Sequence, residues 1–164
     1  MRLIRYGVAI LAALVLAVVA SSSPAAAATQ YFVFHSGNGV ANGKCLDFHA
    51  ATLKVQMYTC NSTINQYWYV ENTSTSGRVV LHSKNGGKCV DAWQGANVQL
   101  VAIGCDGTTT QQWNLHVKGS GYDTWENVAF PGKCMDIHTV GSTIITQLYT
   151  CNNTVSQYWL PISA

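Results

Sequence analysis

The chain has 164 residues and a formal net charge of +2 at pH 7; 48% of its residues are hydrophobic and only 10% are charged. Its lysines are scattered through equivalent turns, whereas binding to nucleic-acid phosphates needs a concentrated basic surface, so a nucleic-acid partner is not expected. The chain is long enough to bury one hydrophobic core without a metal, and one folded domain is expected.

The first residues have the three-part pattern of a secretory signal peptide. Two arginines precede an apolar run from Val8 to Ala20, and four alanines ending at Ala28 suit signal peptidase. The apolar run is too short to span a membrane comfortably, which disfavours the alternative of an uncleaved anchor. We therefore expect residues 1–28 to be removed and residues 29–164 to be a secreted, extracellular domain that does not insert into membranes.

After this leader, the sequence predicts twelve short β-strands at hairpin spacing, separated by Gly, Asn, Ser and Thr. β-Branched and aromatic residues enrich these segments, and no apolar stripe of helical period follows residue 30. The predicted strands cover residues 31–35, 44–49, 54–59, 66–71, 78–82, 88–93, 97–103, 111–116, 124–130, 133–138, 143–149 and 157–161. The expected fold class is all-β.

One motif recurs three times along these strands, at a period of about 45 residues. Each copy begins with Gly-Lys-Cys-x-Asp, continues through a second cysteine and ends with a Gln-x-Trp or Gln-Gln-Trp triplet. The motif aspartates are Asp47, Asp91 and Asp136, and the closing tryptophans are Trp68, Trp113 and Trp159. Three repeats of four strands in a small domain fit a closed barrel that is capped by hairpins and has pseudo-threefold symmetry.

The six cysteines, two in each repeat, indicate disulfides in an exported protein. Because each repeat should close on itself in the same way, the predicted pairs are Cys45–Cys60, Cys89–Cys105 and Cys134–Cys151. Zinc binding by Cys-x-Asp-x-His is disfavoured, since the thiols are expected to be oxidised and the second copy lacks the histidine. No metal and no cofactor are expected.

These motifs resemble those of the ricin-B-type (R-type) lectin domain and of bacterial carbohydrate-binding modules with three Gln-x-Trp repeats. The likeness extends from about Tyr31 to Pro161. It implies a β-trefoil that binds an oligosaccharide or polysaccharide, without a metal, in up to three shallow pockets. Galactose- or xylose-type sugars are the ligands that the resemblance favours.

The residues of the first copy also predict a sugar site by themselves. If Cys45 and Cys60 face each other across an antiparallel hairpin, alternation along the strands places Asp47, His49, Gln56 and Tyr58 on the face of the disulfide. In that register Asp47 lies opposite Tyr58, and His49 lies opposite Gln56. A carboxylate and an amide can bind sugar hydroxyls while an aromatic ring covers the apolar face of the sugar.

The third copy repeats this set, with Asp136 opposite Tyr149 and His138 opposite Gln147 in the same register. The family resemblance adds Asn65, with Gln66 in support, to the first site. It adds Gln157 to the third site.

The second copy is expected to be weak or silent. By the same count Asp91 lies opposite Ile103 and Trp93 lies opposite Val101, so aliphatic side chains replace the amide and the aromatic ring. Gln111 is the glutamine that precedes the closing tryptophan of this copy.

Several of these residues also have a structural interpretation. The three closing tryptophans are expected in the core, because large aromatic side chains supply the burial that a small barrel needs. The glutamines Gln66, Gln111 and Gln157 are expected to satisfy nearby backbone groups or the motif aspartates.

No catalytic site is predicted, since the motif aspartates lie in separate repeats and no acidic pair faces one sugar bond. A secreted, monomeric carbohydrate-binding protein is the first hypothesis. A β-trefoil inhibitor of a protease or glycosidase, acting through an exposed loop at residues 117–126, is the alternative. An accessory module that targets a separate glycoside hydrolase is a third.

Overall fold

The computed structural model describes residues 28–164, so the predicted leader lies, except for Ala28, outside the described residues. Twelve strands form in this range, the number predicted. They are β1 (Phe32–Ser36), β2 (Lys44–His49), β3 (Lys54–Thr59), β4 (Trp68–Asn72), β5 (Arg78–Ser83), β6 (Cys89–Asp91), β7 (Val101–Ile103), β8 (Gln112–Gly119), β9 (Tyr122–Asn127), β10 (Lys133–Val140), β11 (Thr143–Thr150) and β12 (Trp159–Ser163). In the same range, no helix is long and apolar enough to cross a membrane.

Six of the strands close into a barrel. Antiparallel pairing runs from β1 to β4, β5, β8, β9 and β12, and β12 pairs again with β1. The other six strands form the hairpins β2–β3, β6–β7 and β10–β11, and β3 joins them through pairings with β7 and β11. Each repeat supplies two barrel strands and one hairpin of the cap, which is the β-trefoil architecture.

The three closing tryptophans lie in the core, as predicted. Trp68, Trp113 and Trp159 are fully buried, and each donates its indole N–H to a backbone carbonyl of the repeat's own hairpin. The acceptors are the residues just before the motif aspartates: Leu46 at 3.0 Å, Val90 at 3.4 Å and Met135 at 3.1 Å. The indoles therefore fix the strand from which each aspartate projects.

A short 3-10 turn precedes each of these tryptophans, over Ile64–Gln66, Thr109–Gln111 and Val155–Gln157. The predicted starts of three strands are therefore wrong, because the motif glutamine lies in the turn: the strands predicted from residues 66 and 157 begin two residues later, and the strand predicted from residue 111 begins one residue later. All three glutamines are buried, and each amide donates to a backbone carbonyl and accepts from a backbone N–H five residues earlier. Their predicted role in satisfying backbone groups is confirmed.

The three predicted disulfides are present: Cys45–Cys60, Cys89–Cys105 and Cys134–Cys151. Each joins the two strands of one hairpin, with Cα atoms 5.0 to 5.1 Å apart. The repeats therefore close on themselves in the same way.

The predicted register of the first hairpin is wrong by two residues. Asp47 lies opposite Gln56 rather than Tyr58, and Tyr58 lies opposite Cys45. The physical reason is that the disulfide runs diagonally, since Cys60 lies beyond the end of β3 and donates its backbone N–H to Gly43 O at 3.1 Å. A shift of two preserves the alternation, so the predicted residues still share one face.

The same correction applies to the other hairpins. In the third repeat Asp136 lies opposite Gln147, Tyr149 opposite Cys134, and His138 opposite Ile145. In the second repeat Asp91 lies opposite Val101, and Ile103 opposite Cys89. Val101 still replaces the amide and Ile103 the aromatic ring, as predicted; only their partners on the facing strand differ from the prediction.

Candidate functional site

An open depression of about 620 Å³ lies on the hairpin of the third repeat. Four predicted residues line it: Asp136 and His138 from β10, and Gln147 and Tyr149 from β11. Asp136 is only 5% exposed and forms its base, whereas Tyr149 is 41% exposed. The structure therefore brings together a recessed acceptor and an accessible aromatic side chain.

The Asp136 carboxylate is held by an amide on the facing strand. Gln147 donates its Nε2 to Asp136 Oδ1 at 3.2 Å, which directs the remaining acceptor capacity of the carboxylate to other donors. Burial raises the pKa of Asp136, while hydrogen bonds from Gln147 and Gln157 and the nearby His138 oppose that rise. Because the charge is costly to bury, an added donor in the depression would be stabilising.

A second depression, of about 380 Å³, lies on the hairpin of the first repeat. His49, Gln56 and Tyr58 line it, and Tyr58 is 52% exposed. His49 Nδ1 lies 2.7 Å from Thr52 Oγ1, within the hairpin turn. An amide and an aromatic ring are thus accessible together at this hairpin as well.

Asp47 lies behind Gln56 in the first repeat. It is 5% exposed, and it accepts hydrogen bonds from Gln56 Nε2 at 3.4 Å and Gln66 Nε2 at 3.3 Å. Burial raises the pKa of Asp47, opposed by these two amides and by His49. Asn65 lies on the 3-10 turn and accepts a 2.7 Å hydrogen bond from Asn85, so its side chain is already engaged by a loop of the second repeat.

Gln66 and Gln157 are buried, and each binds backbone groups of its own repeat. Each is 1% exposed. Gln157 donates to Thr150 O at 2.8 Å and accepts from the backbone N–H of Asn152 at 3.0 Å. Because Asn152 also lines the third-repeat depression, Gln157 shapes its rim.

The aspartate of the second repeat is used differently. Asp91 is 2% exposed; it accepts from Gln111 Nε2 at 2.9 Å and from the backbone N–H of Trp93 at 2.6 Å. Val101 and Ile103 stand where the other repeats have an amide and an aromatic ring. Trp93 is 58% exposed, beyond the end of β6.

Neighbouring repeats contribute residues that the sequence analysis did not include. Asn97, from the turn between β6 and β7, lines the third-repeat depression, and Ser142 and Thr143, after β10, line the first-repeat depression. The Asn97 backbone has φ +63° and donates to Leu148 O at 2.7 Å, so tertiary contact holds it beside β11. Leu53, Asn97 and Gly141 occupy equivalent turns and all adopt positive φ, but three different residue types stand there, so only the repeat period could have related these turns in the sequence.

Two groups of metal-ligating residue types also occur in the described part of the chain: His35 with Cys45 and Cys60, and His82 with Cys89 and Cys105. In both groups the sulfur atoms are joined in a disulfide. Metal binding by cysteine requires thiolates, so neither group is a metal centre in this state.

The fold and these pockets define an all-β trefoil protein with candidate ligand sites on its cap hairpins. A family model described as "Ricin-type beta-trefoil lectin domain-like" matches residues 27–104 and 65–148. The chain belongs to this family. A comparison with curated proteins found no match.

Solved structures with the same fold include designed and natural proteins. ThreeFoil, a designed threefold-symmetric protein, has 21% sequence identity and a TM-score of 0.72, with 82% of this chain and 99% of ThreeFoil covered. An endo-β-galactosidase from Clostridium perfringens that releases GlcNAcα1-4Gal has 20% identity and a TM-score of 0.68, with 82% of this chain covered. A lectin from Polyporus squamosus has 12% identity and a TM-score of 0.69, with 85% of this chain covered.

The present chain spans 32% of the endo-β-galactosidase chain and 50% of the Polyporus squamosus lectin chain. At these identities the likeness shows the fold. It does not extend to the other parts of those proteins.

Proposed function

We propose that this protein is a secreted carbohydrate-binding protein that recognises a glycan or a plant or cell-wall polysaccharide through the hairpins of its first and third repeats. The observation that carries the proposal is the third-repeat depression, in which a buried carboxylate, an amide and an exposed tyrosine converge. Family membership supports the same function. Galactose- or xylose-type sugars are the first ligands to test.

The proposed chemistry needs no catalytic step. Asp136 would accept hydrogen bonds from sugar hydroxyls, Gln147 would hold that carboxylate and exchange hydrogen bonds with the ligand, and Tyr149 would cover the C–H face of the ring. In the first repeat Gln56 and Tyr58 would act in the same way, and Asp47 would hold the Gln56 amide from behind. Binding of one sugar should be weak, on the order of millimolar, because an open depression leaves part of the ligand in water.

Export is part of the proposal. Residues 1–28 would be a signal peptide, and residues 29–164 would form the mature extracellular monomer. Three disulfides support this location, because such bonds form and persist in oxidising compartments. Sequencing the amino terminus of the secreted protein would test the cleavage position.

An accessory role beside a separate glycoside hydrolase is a second candidate. It is favoured by the endo-β-galactosidase, in which a domain of this fold makes up about a third of a longer chain. Binding to the insoluble substrate of a hydrolase, with no hydrolysis by this chain alone, is the expected behaviour.

The inhibitor alternative has less support from the geometry. The expected exposed loop at residues 117–126 is instead a hairpin of β8 and β9, with residues 120–121 between the strands. The segment is therefore an ordered hairpin rather than an irregular loop.

The deciding experiment is a glycan array supplemented with insoluble xylan and other plant polysaccharides, using the folded parent protein and the double variant Asp47→Ala/Asp136→Ala. The parent should bind at least one carbohydrate, and the double variant should lose retention on it. Circular dichroism establishes whether the variant is folded. Equal retention of the parent and a folded double variant would overturn the assignment of the sites.

A further inference from the structure

The two depressions are joined by a third one at the centre of the cap. This junction depression, of about 310 Å³, is lined by Lys54, Gln56, Gln99, Val140, Thr143 and Ile145. It shares Val140 and Ile145 with the third-repeat depression. It shares Gln56 and Thr143 with the first-repeat depression. The lining is therefore continuous from one proposed sugar site to the other.

The strand register explains this continuity. Ile145 on β11 pairs with Gln56 on β3, and Gln147 is two residues from Ile145 on the same face. The site amides Gln56 and Gln147 are thus diagonal neighbours, about 7 to 8 Å apart at Cα. Asp47 on β2 pairs with Gln56, and Asp136 on β10 pairs with Gln147, so the two aspartates lie on the outer strands of the order β2, β3, β11, β10. They are therefore separated by under about 20 Å along this face.

The second repeat reaches this junction through Gln99. The backbone of Gln99 pairs with Gln147, and its Nε2 donates to Val55 O at 3.0 Å. This bond fixes the side chain and leaves Oε1 with acceptor capacity for a ligand. Although the second repeat has no equivalent of the Asp-Gln-Tyr set, it supplies a polar group between the other two sites.

The junction has both polar and apolar surfaces. Gln99, Thr143 and Lys54 provide hydrogen-bonding groups, while Val140, which is 53% exposed, and the half-buried Ile145 provide an apolar wall. A sugar inside a chain presents hydroxyl edges and a C–H face to its surroundings. The aromatic side chains lie towards the two outer depressions, where Tyr58 and Tyr149 could stack on flanking sugars.

We propose that these three depressions form one groove that binds a single linear oligosaccharide lengthwise, with an internal sugar at the Gln99 junction. This inference rests on the proposed function and specifies its ligand as the interior of an unbranched chain. Affinity should rise with oligosaccharide length until the groove is filled, and then level off. With two independent pockets, affinity would instead rise only when the polymer is long enough to reach both pockets.

The test uses the monosaccharide and a length series of soluble oligosaccharides of whichever sugar binds the parent protein. Lys54 and Gln99 line only the junction among the three depressions, so the double variant Lys54→Ala/Gln99→Ala leaves the lining of the two outer depressions intact. Val55 O retains a 2.8 Å hydrogen bond from Thr146 Oγ1, which protects the fold of this variant. Gln94→Ala, at an exposed position near the end of β6, is the matched control.

The double variant should bind the monosaccharide like the parent and should bind groove-filling oligosaccharides more weakly, by about two- to tenfold for each lost hydrogen bond. The control should match the parent at every length. In NMR titrations, the Gln99 side-chain amide signal should shift with the longer oligosaccharides and not with the monosaccharide.

An unchanged length dependence in the folded double variant would overturn the groove while leaving two working sites. Failure of the parent protein to bind any carbohydrate, short or polymeric, would instead overturn the proposed function. The two failures are therefore distinguishable.

Discussion

Asp91 accepts a hydrogen bond at 2.6 Å from the backbone N–H of Trp93, two residues further along the chain and beyond the end of β6. Its counterparts Asp47 and Asp136 accept instead from glutamine side chains on the facing strand. The bond from Trp93 coincides with the end of β6 at Asp91, whereas β2 and β10 continue beyond their aspartates. The same motif residue therefore ends a strand in one repeat and supports a pocket in the other two.

Asp91→Ala should reduce stability and leave glycan binding unchanged. The substitution leaves the buried Gln111 Nε2 with one partner fewer, and a lost buried hydrogen bond of this kind costs about 1 to 3 kcal/mol. Urea unfolding followed by tryptophan fluorescence measures the change. Loss of binding in a folded Asp91→Ala protein would show that the second repeat has a working site.

Asp136→Ala should weaken binding at the third repeat by about ten- to a hundredfold, because a hydrogen bond to a charged group contributes about 1.5 to 3 kcal/mol. Asp47→Ala should weaken binding at the first repeat too, because it releases the Gln56 amide that lines the depression. Isothermal titration with a short oligosaccharide measures both variants. Asp91→Ala is the matched control, and equal losses in all three variants would contradict the inequality of the repeats.

Binding should weaken on acidification at a pH above 3.8, the ordinary pKa of an aspartate. Burial raises the pKa of Asp47 and Asp136, and a ligand hydroxyl donates best to the ionised carboxylate, so protonation removes affinity. Affinity measured at successive pH values should fall over the pH range, above 3.8, in which these two carboxyl groups are protonated. A midpoint at or below pH 3.8 would contradict control of binding by carboxylates with a raised pKa.

Titration of these two carboxyl groups does not unfold the protein at acidic pH, so unfolding caused by them does not explain the expected loss of ligand affinity. Because their pKa is higher in the folded state than in the unfolded state, the folded state binds more protons between pH 3.8 and the raised pKa. Their contribution to stability is therefore fully present below pH 3.8 and is lost as the pH rises through the folded pKa. Circular dichroism at each pH shows whether the titration of other groups unfolds the protein.

Gln157→Leu should lower stability more than it lowers affinity. The side chain satisfies Thr150 O and the backbone N–H of Asn152, and each buried group left without a partner costs about 1 to 3 kcal/mol. Thermal unfolding and oligosaccharide titration below the transition separate the two effects. If a folded Gln157→Leu protein loses all affinity at full stability, Gln157 contacts the sugar directly.

Much of the fold could be predicted from the sequence, because local and global signals agree. The strands at residues 44–49 and 54–59 coincide with β2 and β3, where alternating side chains, a turn and a cysteine pair all specify one hairpin. The burial of Trp68 follows from its size and from its recurrence in every repeat. The disulfides follow from the same periodicity.

The hairpin register was harder to predict. A cysteine pair limits the hairpin register only through the range of Cα–Cα distances that a disulfide can span. Cysteines placed diagonally across the hairpin fall within this range, as directly opposed ones do. The assumption that Cys45 faces Cys60 therefore displaced every cross-strand partner by two residues. The shared face survived because side-chain alternation has a period of two.

The contribution of Asn97 to the third-repeat depression depends on how the hairpins meet around the pseudo-threefold axis. That meeting is set by long-range bonds such as Asn97 N–H to Leu148 O, which join different repeats. The sequence repeat predicts that the three hairpins have equivalent turns, but not which neighbouring site each turn approaches.

The pairing of β1 with β12 places the two ends of the trefoil side by side: Phe32 lies opposite Ser163, and the Ala164 N–H donates to Tyr31 O at 3.0 Å. A short linker could therefore join these ends, and the chain could be opened at the turn between β8 and β9 without breaking any strand. In such a circular permutant the third repeat would come first, and every strand pairing could still form. The order of the repeats along the chain can thus change while the barrel and the cap that they form stay the same.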